Sequence, residues 1–195
     1  MKEFHSLTAR AAVLDRPDVD TDQIVPKQFL KRIERTGYGE FLFYDWRKDP
    51  DFELNRREYD GARILLAGPN FACGSSREHA AWALQDYGFE VVIAPSFGDI
   101  FFSNAVQIGL VPLTLDAAEV KGLMARLGNG GELTVDLEAQ MISGPAGEAM
   151  PFEMDPFVRH TLLEGLDAIT RTLQHESEIA AFESRSPPLV RTTSL

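Results

Sequence analysis

Several things are scarce in this sequence, and each scarcity excludes a class. There is one cysteine, Cys73, among 195 residues. An intrachain disulfide framework is therefore impossible, and a lone thiol fits a reducing cytoplasm. One thiolate cannot hold zinc or an iron–sulfur cluster, so no cofactor or metal is expected in this chain. No uncharged apolar stretch approaches the ~18 residues of a membrane helix. The first 18 residues carry no long apolar run, so no signal peptide is expected. Positive charge is also short: Lys and Arg total 19 against 30 for Asp and Glu, a formal net charge of −11. Binders of polyanions carry a basic face, so neither nucleic acid nor an anionic membrane surface is an expected partner. No internal repeat, GxGxxG or Walker A motif occurs. The four histidines, His5, His79, His160 and His175, form no H-x-x-x-H pair. Residues 18–23 (DVDTDQ) open like a calcium loop, but the required Gly and Glu are replaced by Gln23 and Phe29.

What is present describes a globular chain. Hydrophobic residues make up 44% and charged residues 25%, and the length suits one domain with a real core. Residues 10–14 (RAAVL) read as a short strand. Residues 15–31 carry Pro17, Pro26 and four aspartates and read as a long loop, with a helical turn near 28–32. Apolar runs at 62–67, 90–94 and 111–115 read as buried strands, separated by helical spacing over 76–87 and 99–108. That alternation predicts an α/β fold with parallel pairing. Asp116 and Glu119 signal another helix. Residues 132–137 and 141–143 suggest a hairpin. A helical region at 162–173, broken at Gly165, precedes one or two turns at 178–182. Residues 186–195 read as a loose tail.

The densest cluster of reactive side chains is 68–80, GPNFACGSSREHA. It leaves a buried strand, crosses a loop bounded by Gly68 and Gly74, and is expected to enter a helix at Ser75 or Ser76. Ser75 and Glu78 have the spacing of a capping box. In the plain reading Ser75 caps the helix, with Arg77 and Glu78 as a solvated pair. In the functional reading the helix start and Arg77 grip a carboxylate, Arg77 by a bidentate fork. Oriented N–H groups and a nearby cation would also stabilise a serine alkoxide, suiting the site to remove a proton beside a bound carboxylate. A leaving hydroxide would still need a Lewis acid, which must come from elsewhere.

GPNFACGSSREHAAWAL resembles the swivelling domain of the aconitase superfamily. The blocks DVDTDQIVPKQFLKRI, DYGFEVVIAPSFGDIFFSNAVQIGLVPL and HTLLEGLDAITRTLQHESEIAAFE resemble the isopropylmalate dehydratase small-subunit branch. One departure is Ala72, standing where a glycine is expected. The resemblance implies a swivelling β/β/α domain, like domain 4 of aconitase, over 1–185. It implies a partner large subunit carrying a [4Fe-4S] cluster, and dehydration and rehydration of the small-molecule substrate isopropylmalate in leucine biosynthesis. By motif position it makes Ser75 the general base, with Ser76 and Arg77 binding substrate carboxylate. Asp20, Thr21 and Asp22 would stand at the active-site rim, facing the large subunit. Specificity would lie in 27–36, with Phe29 and Leu30 meeting the alkyl end of the substrate. Glu78 and His79 would be scaffolding. Two other readings fit the same residues: a sister hydro-lyase, such as a homoaconitase-type or citraconate hydratase, and a non-catalytic carboxylate-binding module.

Overall fold

The computed structural model describes residues 1–31, 34–144 and 147–186. Its first strand, β1 (Ser6–Leu14), shows two burial regimes. Alternate residues are covered in its first half, and nearly every residue in its second. Residues 6–10 pair antiparallel with β5 (Glu132–Asp136), where one face of the ladder meets solvent. Residues 11–14 pair in parallel with β2 (Ile64–Ala67), where both faces are covered. The expected strand at 10–14 is thus longer, because its polar first half carries the alternation of a half-exposed ladder. Two further strands, β3 (Val91–Ala94) and β4 (Val111–Thr114), extend the parallel part as expected. The hairpin partner β6 (Met141–Ser143) and a strand that had no clear sequence signal, β7 (Ala149–Pro151), extend the antiparallel part. The seven strands run in the order β4-β3-β2-β1-β5-β6-β7.

The period of two along the parallel strands divides two cores. Leu65, Ala67, Val92 and Ala94 face one core, with Ala80, Ala81 and Leu84 of α2 (Glu78–Tyr87) and Phe101 and Ala105 of α3 (Asp99–Ile108). Ile64, Leu66, Val91 and Ile93 face the other, with Val120, Leu123, Met124 and Leu127 of α4 (Ala117–Leu127). Each fully buried Leu, Ile, Val or Phe contributes about 1.5–3 kcal/mol relative to exposure. These cores make the sheet edges rigid supports for the loops that leave them. The C-terminal helical region begins at α5 (Pro156–Leu163), capped by Asp155 with Pro156 at its first position. Gly165, in the left-handed region at φ 61°, separates it from α6 (Ala168–Leu173), and α7 (Glu176–Arg185) follows. Of the expected tail at 186–195, all but Ser186 lies outside the described residues. Among the described residues, no helix is long and apolar enough to cross a membrane.

The chain between β1 and β2 departs from expectation. Residues 15–31 were expected to be loop, with a turn near 28–32. The structure keeps that turn, as a 3-10 turn at Lys27–Phe29, and adds a short helix before it, α1 (Thr21–Ile24). Asp20 caps α1: the Gln23 N–H donates to its carboxylate at 2.8 Å, and the Asp20 N–H donates to Gln23 Oε1 at 2.8 Å. A capping box therefore exists, but with Gln at its third position and Asp20 at its head.

Candidate active site

Parallel strands of an α/β sheet present their following loops at one edge, where ligands of open sheets bind. Here the loops after β1, β2 and β3 meet at that edge. The loop after β2, residues 68–77, is held on both sides by backbone hydrogen bonds. On one side, the Phe71 N–H donates to Ser96 O at 3.0 Å and the Gly98 N–H to Phe71 O at 2.9 Å. On the other, the Asp18 N–H donates to Pro69 O at 3.0 Å, the Cys73 N–H to Val19 O at 3.2 Å, and the Thr21 N–H to Cys73 O at 3.1 Å. The Phe71 ring is fully buried and meets Phe97 and Phe101 edge-on. Asn70 Nδ2 donates to Asp18 Oδ1 at 2.7 Å, tying the two loops together at the rim.

The backbone here is strained. Asp18, Asn70 and Ala72 stand at φ 53°, 56° and 57°. Asn and Asp visit this region with local side-chain support, but an alanine there costs about 1–2 kcal/mol. The departure at Ala72 therefore falls on a residue whose backbone does take positive φ. Gly98 is required beside it, because a Cβ there would stand 2.6 Å from Ala72 O. Nothing in the sequence marks Ser96 or Gly98 as part of the site. Their one signal is position, just past the neighbouring parallel strand.

The expected helix start at Ser75 or Ser76 is corrected by the structure. Helix α2 begins at Glu78, with Arg77 in extended conformation as its N-terminal boundary and no side-chain cap. Ser75 does not cap. Its carbonyl instead accepts the Arg77 N–H at 2.8 Å, a tight turn that keeps 75–77 out of the helix. Ser75 and Ser76 are exposed, and Arg77 is partly buried. Arg77 Nη1 is ion-paired with Asp22 Oδ1 across the two loops.

Asp20, Thr21, Asp22, Ser75 and Arg77 are thus brought together. Thr21 is 2% exposed, and its hydroxyl meets the backbone of Ser75 rather than the open rim. Phe29 and Leu30 pack against the first core, and Phe29 stacks on Phe41 with centroids 4.0 Å apart. Within the expected specificity segment 27–36, Arg32 and Ile33 lie outside the described residues. His79 faces inward between Tyr38 and Trp82, at 5.1 and 4.7 Å between centroids. Burial holds its pKa below the ordinary value, so its ring is neutral at pH 7. Burial first, then the charges of Asp20 and Asp18, push the Cys73 thiol up, which favours its protonated form.

Among the described residues, no group of three or more His, Cys, Asp or Glu could hold an ion. The arrangement sets a guanidinium, the kind of group that can fork onto a carboxylate, on the same loop as an exposed serine.

Comparison with known proteins agrees with this architecture. The family described as Aconitase C-terminal domain matches residues 1–118, and a second, LeuD_N, matches 122–156. A protein of Geobacillus kaustophilus named 3-isopropylmalate dehydratase small subunit is 53% identical over 195 residues, covering 96% of this chain and 99% of that protein. One of the same name from Bacillus subtilis is 53% identical, covering 95% and 96%. A crystal structure from Methanocaldococcus jannaschii, titled 3-isopropylmalate dehydratase, superposes with a TM-score of 0.68 at 26% identity, covering 91% of this chain and 99% of that one.

Proposed function

The chain belongs to the aconitase C-terminal domain family, and on that premise we propose that it is the small subunit of a 3-isopropylmalate dehydratase. This hydro-lyase interconverts 2-isopropylmalate and 3-isopropylmalate in leucine biosynthesis and is active only with its large subunit. Relatives named small subunit match over nearly the whole chain and support this reading. The observation that carries the chemistry is the pairing of an exposed Ser75 with Arg77, two residues on, at the loop edge of the parallel strands.

Arg77 binds a substrate carboxylate through its guanidinium fork, and Ser76 adds a hydrogen bond. That fixes the neighbouring carbon beside Ser75. The Ser75 Oγ, as alkoxide, takes the carbon-bound proton, and the electron pair forms the double bond as the hydroxyl leaves the adjacent carbon. Rehydration in the opposite sense returns that proton from Ser75 and yields the isomer. Among the described residues no side-chain group could hold the Lewis acid that the leaving hydroxyl needs, and a [4Fe-4S] cluster in the large subunit is expected to supply it. Asp20 and Asp22 lie at the rim that faces the large subunit. The reaction belongs in the cytoplasm, where a lone thiol such as Cys73 stays reduced.

The test is reconstitution. The purified chain alone should turn over no isopropylmalate, and activity should appear on adding a cluster-loaded large subunit. Turnover by the isolated, iron-free chain would overturn the proposal.

A further inference from the structure

We propose that Thr21 is the positioning residue that sets the direction of the Ser75 side chain. The inference rests on the reading of Ser75 as the base, and goes beyond it by naming what holds that base in place.

Thr21 is the first residue of the short helix capped by Asp20, and its side chain is one of the two buried polar ones in the protein's described residues, at 2% exposure. A buried threonine on a helix usually spends its hydroxyl on a carbonyl of its own turn. This one reaches a residue 54 positions away. The Ser75 N–H donates to Thr21 Oγ1 at 3.3 Å, and Thr21 Oγ1 donates to the Ser75 carbonyl at 3.5 Å. Both contacts are long, and both fall on the same residue. The N–H and the C=O of Ser75 flank its Cα, so holding the two together fixes the direction of the Cα–Cβ bond. The Thr21 N–H adds a third tie, to Cys73 O at 3.1 Å.

Ser75 needs such an anchor because its other backbone tie, the Arg77 N–H that its carbonyl accepts at 2.8 Å, is local to the same loop. It lies outside α2, is exposed, and follows Ala72 and Gly74, both at positive φ. A base that must meet one carbon-bound proton gains little from a loop that samples several directions. The simpler reading makes Thr21 a staple that only stabilises the loop. The two readings differ in what is lost with the hydroxyl: a staple changes melting temperature, and a positioning residue changes kcat.

The experiment uses this chain assembled with its large subunit, with rates normalised to assembled complex. Thr21→Val keeps the side-chain shape and removes the hydroxyl. It should lower kcat about 10–100-fold, the scale of a misplacement near 1 Å, with KM within about threefold. Thr21→Ser keeps the hydroxyl and should restore kcat to within about threefold of wild type. In a Ser75→Ala background, Thr21→Val should cost nothing further, because residues acting as a unit are not additive. Should the valine variant fail to assemble, Thr21→Ala against Thr21→Ser gives the same comparison. A Thr21→Val complex with wild-type kcat, or a Thr21→Ser complex as impaired as the valine one, overturns the positioning role. Ser75→Ala with near-normal kcat overturns the assignment of the base, and the positioning role with it. Loss of kcat in Ser75→Ala but not in Thr21→Val removes the positioning role alone.

Discussion

Asp22 reaches from the first short helix to the guanidinium of Arg77, so the site's cation already holds a carboxylate before any substrate arrives. The contact runs through Nη1 of Arg77. A guanidinium has further N–H groups along its other edges and can hold a second carboxylate in a planar fork. A lysine ammonium offers only a point charge, which Asp22 and the substrate would have to share. Arg77→Lys should therefore raise KM about 10-fold or more and leave kcat within about threefold. Steady-state kinetics of the assembled enzyme check this, and an unchanged KM would remove Arg77 from carboxylate binding.

Ser75→Ala should lower kcat about 10²–10⁴-fold, since proton removal occurs only in the transition state. The start of α2 at Glu78 sharpens this test. A capping serine would cost about 1 kcal/mol of stability when replaced, but Ser75 caps no helix here. The melting temperature should stay within about 2 °C of wild type. A large fall in melting temperature with normal kcat would return Ser75 to a structural role.

Gly98→Ala should damage the loop from below. The new Cβ would stand 2.6 Å from Ala72 O and 3.1 Å from Cys73 Cα, and both are backbone atoms. They move only if the loop carrying Ser75 moves, so about 1–3 kcal/mol of stability should be lost, with kcat falling as well. Ala72→Gly is the converse case. Relief at φ 57° is offset by the greater backbone entropy of an unfolded glycine, so the net change should stay within about 1 kcal/mol. Chemical denaturation reads both variants.

The ring of His79 should make the fold sensitive to mild acid. Burial lowers its pKa from 6.5, and the smaller effects of Glu78 and Arg77 oppose each other. An unfolded chain protonates this histidine as pH falls through about 6.5, while the folded chain resists to lower pH. The stability it contributes is therefore full above that value and is lost as pH drops below it. His79→Phe keeps a ring between Tyr38 and Trp82 without the titration. Between about pH 7.5 and 5.5 the wild type should lose more melting temperature than this variant. Equal losses would refute the assignment.

Leu30→Arg tests whether 27–36 sets substrate choice. Leu30 is partly buried against the first core, so the arginine head must turn outward. In an assembled complex, kcat/KM for isopropylmalate should fall, with any gain going to substrates ending in a carboxylate. An apolar contact discriminates by only about 1–3 kcal/mol, so the shift should be modest. An unchanged ratio between the two substrates would remove this segment from the pocket.

The sequence by itself determined the parallel strands, the helices between them and the place of Ser75, Ser76 and Arg77 in the loop after β2. Those features depend on short-range patterns: apolar runs such as Ile64–Ala67, helical spacing through Ala80, Ala81 and Leu84, and Gly88 and Gly109 ending their helices in the left-handed region. Tertiary structure alone decided how the site is held. Local spacing made Ser75 and Glu78 a capping box, yet Ser75 meets Thr21 from 54 residues away. An aspartate-rich stretch with two prolines read as loop, yet Asp20 caps a helix whose next two residues hold Ser75 and Arg77. A hydrogen bond across that distance in sequence leaves no periodicity behind. It exists only because the parallel strands deliver both loops to the same edge of the sheet.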